Sequence, residues 1–172
     1  EWTGGTFHGL RLQALTDGRL PNGGPGWAPH GNFILSRVEI SYFDSSTKAV
    51  SIPLAHAYTD HEQDGWMLDS AISGDNPDTG WAIAGALSQI HQAYFAPKVP
   101  VFIPHGSRLR ITMRQGTPDF PDHQIGRFRL DTTNDPVDVA LYFAIRLRRV
   151  VLDDSPRDHF ELAVAKDGRR FY

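Results

Sequence analysis

The sequence contains no cysteine, which excludes disulfide bonds and thiol chemistry. No apolar run approaches the roughly 20 residues that a helix needs to cross a bilayer, so we predict no membrane span. The formal net charge is only −3, and this near balance gives no support to a nucleic-acid partner. Common motifs of nucleophilic catalysis and nucleotide binding are also missing: G-x-S-x-G, the P-loop and a strand–G-x-G-x-x-G–helix unit. We therefore predict no enzymatic activity.

The remaining composition is that of an ordinary globular protein. The chain has 172 residues, of which 40% are hydrophobic and 22% charged. This length fits one domain with a real core, so we predict a single domain over residues 1–172. The chain begins at Glu1 without Met, which we interpret as a processed chain or an excised domain.

Short runs of alternating apolar and polar residues recur along the chain and predict β-strands, whose side chains point to opposite faces with a period of two. Such runs contain Leu10, Val38, Val50, Leu109 and Phe128. Glycine- and proline-rich turns separate them, and Pro53 marks the third run as an edge strand or as its end. Only residues 78–91 have some helical character. The pattern predicts an all-β domain, a β-sandwich or jelly roll.

The C-terminal part follows the same pattern. Apolar residues occupy every second position from Val137 to Leu147, which favours a long strand, although Asp135-Pro136 is also a possible helix start. Residues 160–164 alternate again before Lys166-Asp167-Gly168, a hairpin-type turn. These strands are predicted to belong to the same domain.

The stretch from Leu20 to Tyr42 combines a loop with a strand. Its first part is rich in proline and glycine, which excludes regular structure, and Trp27 stands at its middle. A shaped loop that leads into a half-buried strand is a common way for a β scaffold to present a binding surface. Sugar rings have a CH-rich face that stacks on an exposed indole, so we predict that Trp27 binds ligand. The alternative is that Trp27 folds back as a lid over one end of the sandwich.

Three other aromatic residues differ in context. Trp66 ends a second polar, turn-like stretch and has the same two interpretations as Trp27. Tyr58 is a further predicted ligand contact. Trp81 follows Thr79-Gly80 and precedes two apolar residues, which predicts a place in the core.

Arginines occupy the polar positions of several predicted strands. They are Arg108, Arg110, Arg114, Arg127, Arg129, Arg146 and Arg148. If these strands are neighbours, the guanidinium groups share one face, and that face would hold sulfate or carboxylate groups of an anionic polysaccharide. We predict Arg108, Arg110, Arg127 and Arg129 as ligand contacts. The alternative is a solvated sheet face interleaved with acidic residues.

One acidic loop has the oxygen ligands that calcium prefers. The candidates are Asp69, Asp75, Asp78 and Thr79. The alternative is a plain turn, in which Asx and hydroxyl side chains bond to their own backbone.

Several stretches together resemble one family. They are TFHGLRLQAL at 6–15, GNFILS at 31–36, AI and DTGWAI between 71 and 83, and GRFRL at 126–130. Over roughly residues 6–133 they resemble the galactose-binding-like (discoidin-type) β-sandwich domain of large planctomycete secreted proteins, which often carry cytochrome-c-like segments. The resemblance implies a non-catalytic, glycan-binding or adhesive domain that is secreted, periplasmic or on the cell surface. It also implies a structural calcium at the acidic loop, although Ser73-Gly74 stands where the family has Asp-Gly.

Three hypotheses for function follow. The leading one is a carbohydrate-binding module of a larger exported protein that recognises a polysaccharide. The second is a structural domain that docks neighbouring domains of the same polypeptide. The third is a polysaccharide-degrading enzyme on a jelly-roll scaffold, which needs two carboxylates, or a His and a Tyr, within reach of a sugar.

Overall fold

The computed structural model describes residues 3–44, 48–74, 76 and 78–133, which all lie in the compact unit Glu1–Asn134. This part of the chain is nearly all-β, and its helical structure is limited to a 3-10 turn at Pro21–Gly23 and the one-turn helix α1 at Ser70–Ser73. The strands are β1 (Gly5–Phe7), β2 (Gly9–Ala14), β3 (Ile34–Phe43), β4 (Ala49–Ile52), β5 (Leu54–Thr59), β6 (Trp81–Ala82), β7 (His91–Pro97), β8 (Val101–Ile103), β9 (Arg108–Gln115) and β10 (Phe128–Thr133). No helix within the described ranges is long and apolar enough to cross a membrane.

The strands form antiparallel sheets. One sheet has the order β10-β2-β7-β5, with Leu12 opposite both Leu130 and Ala93. In a second sheet β3 is central and pairs with β4, β6 and β9, so that Ile40 lies opposite both Ile52 and Ile111. Strands β1 and β8 form a separate two-stranded sheet.

Both larger sheets bury their apolar faces in one core. Leu12 and Phe95 from the first sheet and Val38 and Ile40 from the second belong to the same cluster of buried residues. Two sheets that share a core in this way form a sandwich-like arrangement, because each sheet must cover its apolar face. The all-β prediction is therefore confirmed for the described residues.

Some predicted elements differ from the structure. Pro53 does end a strand, because β4 stops at Ile52 and the chain passes to β5 in the other sheet. The helical character predicted for residues 78–91 is wrong, since this segment holds β6 and turns before β7 begins at His91. The strands predicted within 137–164 and the hairpin at 166–168 lie outside the described residues.

Candidate functional site

The loop that carries Trp27 is fixed by backbone hydrogen bonds on both sides. The Trp27 N–H donates to the Gln124 carbonyl at 2.8 Å, and the Gly126 N–H donates to the Pro25 carbonyl at 2.7 Å. The Gly26 N–H closes the loop on the Gly31 carbonyl at 2.9 Å. The loop therefore has a defined conformation although it is neither helix nor strand.

Gly26 is needed because the loop backbone packs on itself at this residue. A Cβ atom at Gly26 would overlap the carbonyl group of Asn32 and contact the Phe33 nitrogen. These are backbone atoms, so no side-chain rotation relieves the clash. Only glycine permits this close approach next to Trp27.

The buried side chain of Asn32 anchors the far end of the same loop. Its Oδ1 accepts a hydrogen bond from the Ile83 N–H at 3.0 Å, and its Nδ2 donates to Gln63 Oε1 at 3.1 Å. Gln63 Oε1 also accepts the Ala84 N–H at 3.3 Å. The amide thus pairs groups that would otherwise be buried without a partner.

Trp27 is exposed and forms part of a pocket. Its relative exposure is 52%, so it is not the buried lid of the alternative interpretation. The pocket has a volume of about 400 Å³, within the usual range for small-molecule sites. Its lining residues are Asp17, Arg19, Leu20, Trp27, Gly126 and Arg127. Two predicted ligand contacts, Trp27 and Arg127, therefore line the same pocket.

Strand pairing between β2 and β10 brings the charged residues of the pocket together. Ala14 at the end of β2 lies opposite Phe128, and one step further the Leu15 N–H donates to the Arg127 carbonyl at 2.8 Å. Asp17 follows two residues later, which places it beside Arg127 despite a separation of 110 positions. The sheet register thus decides which charges meet in the pocket.

Asp17 is paired mainly with Arg19. Arg19 Nε lies 2.9 Å from Asp17 Oδ1 and Arg19 Nη2 lies 2.7 Å from Oδ2, while the Arg19 backbone N–H donates to Oδ1 at 3.0 Å. These hydrogen bonds hold the pKa of the Asp17 carboxyl well below its usual range, and the same pairing raises the pKa of Arg19. Asp17 is therefore ionised at neutral pH.

Arg127 is bound less tightly than Arg19. Its Nη1 lies 3.5 Å from Asp17 Oδ2, and its side chain is largely exposed. Because both carboxylate oxygens of Asp17 already accept hydrogen bonds from Arg19, the Arg127 guanidinium keeps donors for other partners.

Trp66 belongs to a row of aromatic rings that are in contact with one another. It is half-buried and meets Phe120 edge to face, with ring centroids 5.8 Å apart. Phe120 contacts His123 at 5.2 Å, and His123 contacts His30 at 5.4 Å. Burial lowers the pKa of His123, and the neighbouring His30 adds to the effect. His123 directly precedes Gln124, whose carbonyl accepts the Trp27 N–H, so the row lies next to the loop that carries Trp27.

Tyr58 and Arg129 lie on the solvent-facing side of the first sheet. Tyr58 on β5 is opposite Tyr94, which is opposite Arg11 in turn. Arg129 on β10 bonds to Asp131, which also accepts two hydrogen bonds from Arg11 at 3.1 and 2.8 Å. Strands β5 and β10 are three spacings apart, roughly 14 Å. Neither Tyr58 nor Arg129 is among the residues that line the Trp27 pocket.

Arg108 and Arg110 lie in the other sheet. Both are on β9, which pairs with β3, and their guanidinium groups lie over the Phe43 ring at 5.8 and 4.5 Å from its centroid. Strand β10, next to Arg127, pairs instead with β2. Strands β9 and β10 therefore belong to different sheets and are not neighbours. The predicted single arginine face required neighbouring strands, because period two fixes only which face of its own strand a residue lies on. Arg146 and Arg148 lie outside the described residues.

Trp81 is buried as predicted. It is 0% exposed, packs edge to face on Phe33 with centroids 4.9 Å apart, and donates its indole N–H to the His61 carbonyl at 2.8 Å. The indole nitrogen is thus satisfied inside the core.

The acidic loop contains an Asx turn. Asn76 Oδ1 accepts the Asp78 N–H at 2.9 Å, and Asp69 is exposed just before α1. In the described ranges, no group of three or more His, Asp or Glu side chains is placed to hold a metal ion. Calcium binding by Asp69, Asp75, Asp78 and Thr79 stays a prediction, because Asp75 lies outside those ranges.

Sequence reasoning missed four residues that line the pocket: Asp17, Arg19, Leu20 and Gly126. Asp17-Gly18-Arg19 has the composition of a turn, and this local pattern could have predicted a loop at the pocket. The part played by Gly126 had no such signal, since it depends on the packing of Leu20 against it.

Comparison with family models, curated proteins and solved structures found no match to this chain. The fold therefore defines the class to which the described residues belong, an all-β, sandwich-like domain with antiparallel sheets.

Proposed function

We propose that this chain is a non-catalytic carbohydrate-binding module and that a sugar ring of a polysaccharide stacks on Trp27. The observation that carries the proposal is the exposed indole at the wall of a pocket of about 400 Å³. An exposed Trp held by a rigid loop offers a large apolar platform with few torsions to freeze on binding.

The other residues of the pocket suit a ligand that is both apolar and polar. Leu20 and Trp27 supply apolar surface, while Arg19 and Arg127 supply N–H donors for ring substituents. A sugar has the same division, with CH groups on its faces and hydroxyl groups on its edge. The row from Trp66 to His30 provides a second aromatic surface for further sugar units of the chain.

We extend the proposal to the setting of the domain. It is a galactose-binding-like jelly roll within a larger exported protein, at the cell surface or outside the cell, as the family resemblance implies. A single pocket of this size buries little ligand area, so each module binds weakly and several tethered modules bind better.

The test is isothermal titration calorimetry of the purified chain with a panel of neutral and acidic oligosaccharides. We expect measurable binding for at least one of them, and Trp27→Ala should weaken it by about tenfold or more, as for other central aromatic contacts. Phe102→Ala removes another exposed aromatic, on β8, and should leave the affinity unchanged. Equal effects of the two variants, or no binding to any oligosaccharide, would rule out the proposed role of Trp27.

A second candidate function is docking of another protein domain. Val99, in the connection between β7 and β8, and Phe102, on β8, are each 67% exposed, and such apolar exposure favours a protein contact. The proposed occupant is a neighbouring domain of the same polypeptide.

Hydrogen exchange would test this second candidate. In a polypeptide that contains the neighbouring domain, the amides of Val99 and of residues 101–103 should exchange more slowly than in the isolated chain, and Phe102→Ser should abolish the difference. Identical exchange in the two proteins would exclude docking at Val99 and Phe102.

A further inference from the structure

The Trp27 pocket carries more positive than negative charge. Its lining contains two guanidinium groups, Arg19 and Arg127, and one carboxylate, Asp17, which leaves a local charge of +1. The chain as a whole has a net charge of −3, so the sign at the pocket is opposite to that of the protein. A local reversal of this kind favours an anionic group of the ligand over a cationic one.

The charge is concentrated on Arg127 because Arg19 is already neutralised. Arg19 and Asp17 form a two-pronged pair at 2.9 and 2.7 Å, the geometry in which guanidinium and carboxylate bind each other best. Arg127 Nη1 is 3.5 Å from the same carboxylate, beyond the distance of a strong charge-assisted hydrogen bond. Its planar fork of N–H donors is therefore available to an oxyanion.

Arg127 also has a defined position relative to the indole. Its carbonyl is held by the Leu15 N–H at 2.8 Å, and the adjacent Gly126 bonds to Pro25, two residues before Trp27. The backbone on each side of the pocket is thus cross-linked by hydrogen bonds. A ring stacked on Trp27 would place its substituents near Arg127, which lines the same pocket and whose backbone these hydrogen bonds fix.

We propose that this pocket selects an acidic saccharide, in which a carboxylate or sulfate group pairs with Arg127 while the ring stacks on Trp27. The inference rests on the proposed carbohydrate binding and adds the chemical class of the sugar.

The experiment compares acidic and neutral forms of the same saccharide by isothermal titration calorimetry. One arm uses tetragalacturonate and its methyl ester, and the other uses sulfated and unsulfated dextran oligosaccharides. The two arms distinguish a carboxylate from a sulfate as the recognised group. We expect the acidic form to bind at least about tenfold more tightly in one arm, which is the usual worth of a hydrogen bond to a charged group. The preference should decrease as salt is raised, since partly exposed charges are screened.

The variant that tests the contact is Arg127→Gln. It should reduce the affinity for the acidic form to about that of the neutral form. It should weaken binding of the neutral form less, because a neutral substituent loses only an uncharged hydrogen bond. Arg127→Lys keeps the charge but loses the two-pronged geometry, so it should restore only part of the preference. Arg114→Gln is the matched control, because Arg114 is an exposed arginine on β9 in the other sheet, and it should behave like the unmodified chain.

The outcomes separate the two proposals. If the chain binds both forms equally, or if Arg127→Gln keeps the preference, the assignment of an acidic saccharide is wrong while carbohydrate binding stands. If the chain binds no saccharide in either arm or in the wider panel, carbohydrate binding fails and the acidic assignment fails with it. Thermal unfolding of each variant shows that a loss of affinity does not come from a loss of fold.

Discussion

The imidazole Nδ1 of His91 lies 3.2 Å from Oδ2 of Asp60, and His91 itself is completely buried. Its other nitrogen, Nε2, lies 2.6 Å from the Ala86 carbonyl, so both ring nitrogens face acceptors. Only the protonated ring donates to both. Burial by itself lowers the pKa of His91, but the hydrogen bonds with Asp60 and the Ala86 carbonyl outweigh it and raise the pKa above 6.5.

This pair predicts a pH dependence of stability. The contribution of His91 is fully present below its unfolded pKa of 6.5 and is lost as pH rises through the raised folded value. Burial alone raises the pKa of Asp60, but hydrogen bonds from His91 and the Gln92 N–H lower it below 3.8, so its contribution is lost as pH falls through that lowered value. We expect the free energy of unfolding to be largest between about pH 4 and 6.5.

Asp60→Asn tests the pair directly. The variant should be less stable at pH 5.5, and its stability should fall less between pH 6.5 and 8 than that of the unmodified chain, as measured by urea unfolding. His105→Gln removes an exposed histidine and should keep the original pH profile. A profile for Asp60→Asn that parallels the unmodified one would contradict the proposed ion pair.

Asn32→Ala should destabilise the domain by about 2 kcal/mol, because the Ile83 N–H would be buried without a partner. The measurement is the free energy of unfolding from urea titration. Gln89→Ala truncates an exposed amide and should change that value by less than about 0.5 kcal/mol. Equal values for the two variants would show that the buried amide does not anchor the loop.

Gly26→Ala should cost about 3 kcal/mol or more, because its Cβ would overlap the backbone of Asn32. We also expect faster hydrogen exchange at the Trp27 amide, whose bond to Gln124 depends on the loop path. Gly18→Ala is the control, since a Cβ there meets nothing within 4 Å. If both alanines are tolerated equally, the close approach at Gly26 is not required.

Gly126→Ala should affect binding more than folding. Its Cβ would overlap the end of the Leu20 side chain, and that flexible end must move within the pocket that both residues line. We expect a loss of saccharide affinity of about tenfold, measured by calorimetry, with a smaller loss of stability than for Gly26→Ala. Unchanged affinity would mean that Leu20 does not shape the bound state.

The sequence was most informative where burial imposes a simple period. The alternation around Leu10 and Val38 predicted β2 and β3, and both strands bury those residues in the core. Trp81 was also placed correctly, because apolar neighbours on its C-terminal side indicate a core position. The period of two predicted which residues of a strand share a face, and the apolar face of each strand is the one that packs in the core.

What the sequence did not predict depends on contacts between distant segments. The meeting of Asp17 with Arg127 requires the register of β2 against β10, which no local pattern specifies. Likewise Asn32 has the composition of a turn residue, and its buried role arises only from the distant Ile83 and Gln63. Nor does the sequence around His91 indicate its burial, because its partner Asp60 lies 31 residues away.

The most direct test of the account is an NMR titration that follows the indole N–H signals, assigned by Trp→Phe substitution, as an acidic oligosaccharide is added. The account predicts a saturable shift of the Trp27 signal. The Trp81 signal should stay in place, because that indole is buried and bonded to the His61 carbonyl. A Trp27 signal that remains unmoved at saturating saccharide, while binding is detected by calorimetry, would contradict the central claim that this indole is the platform.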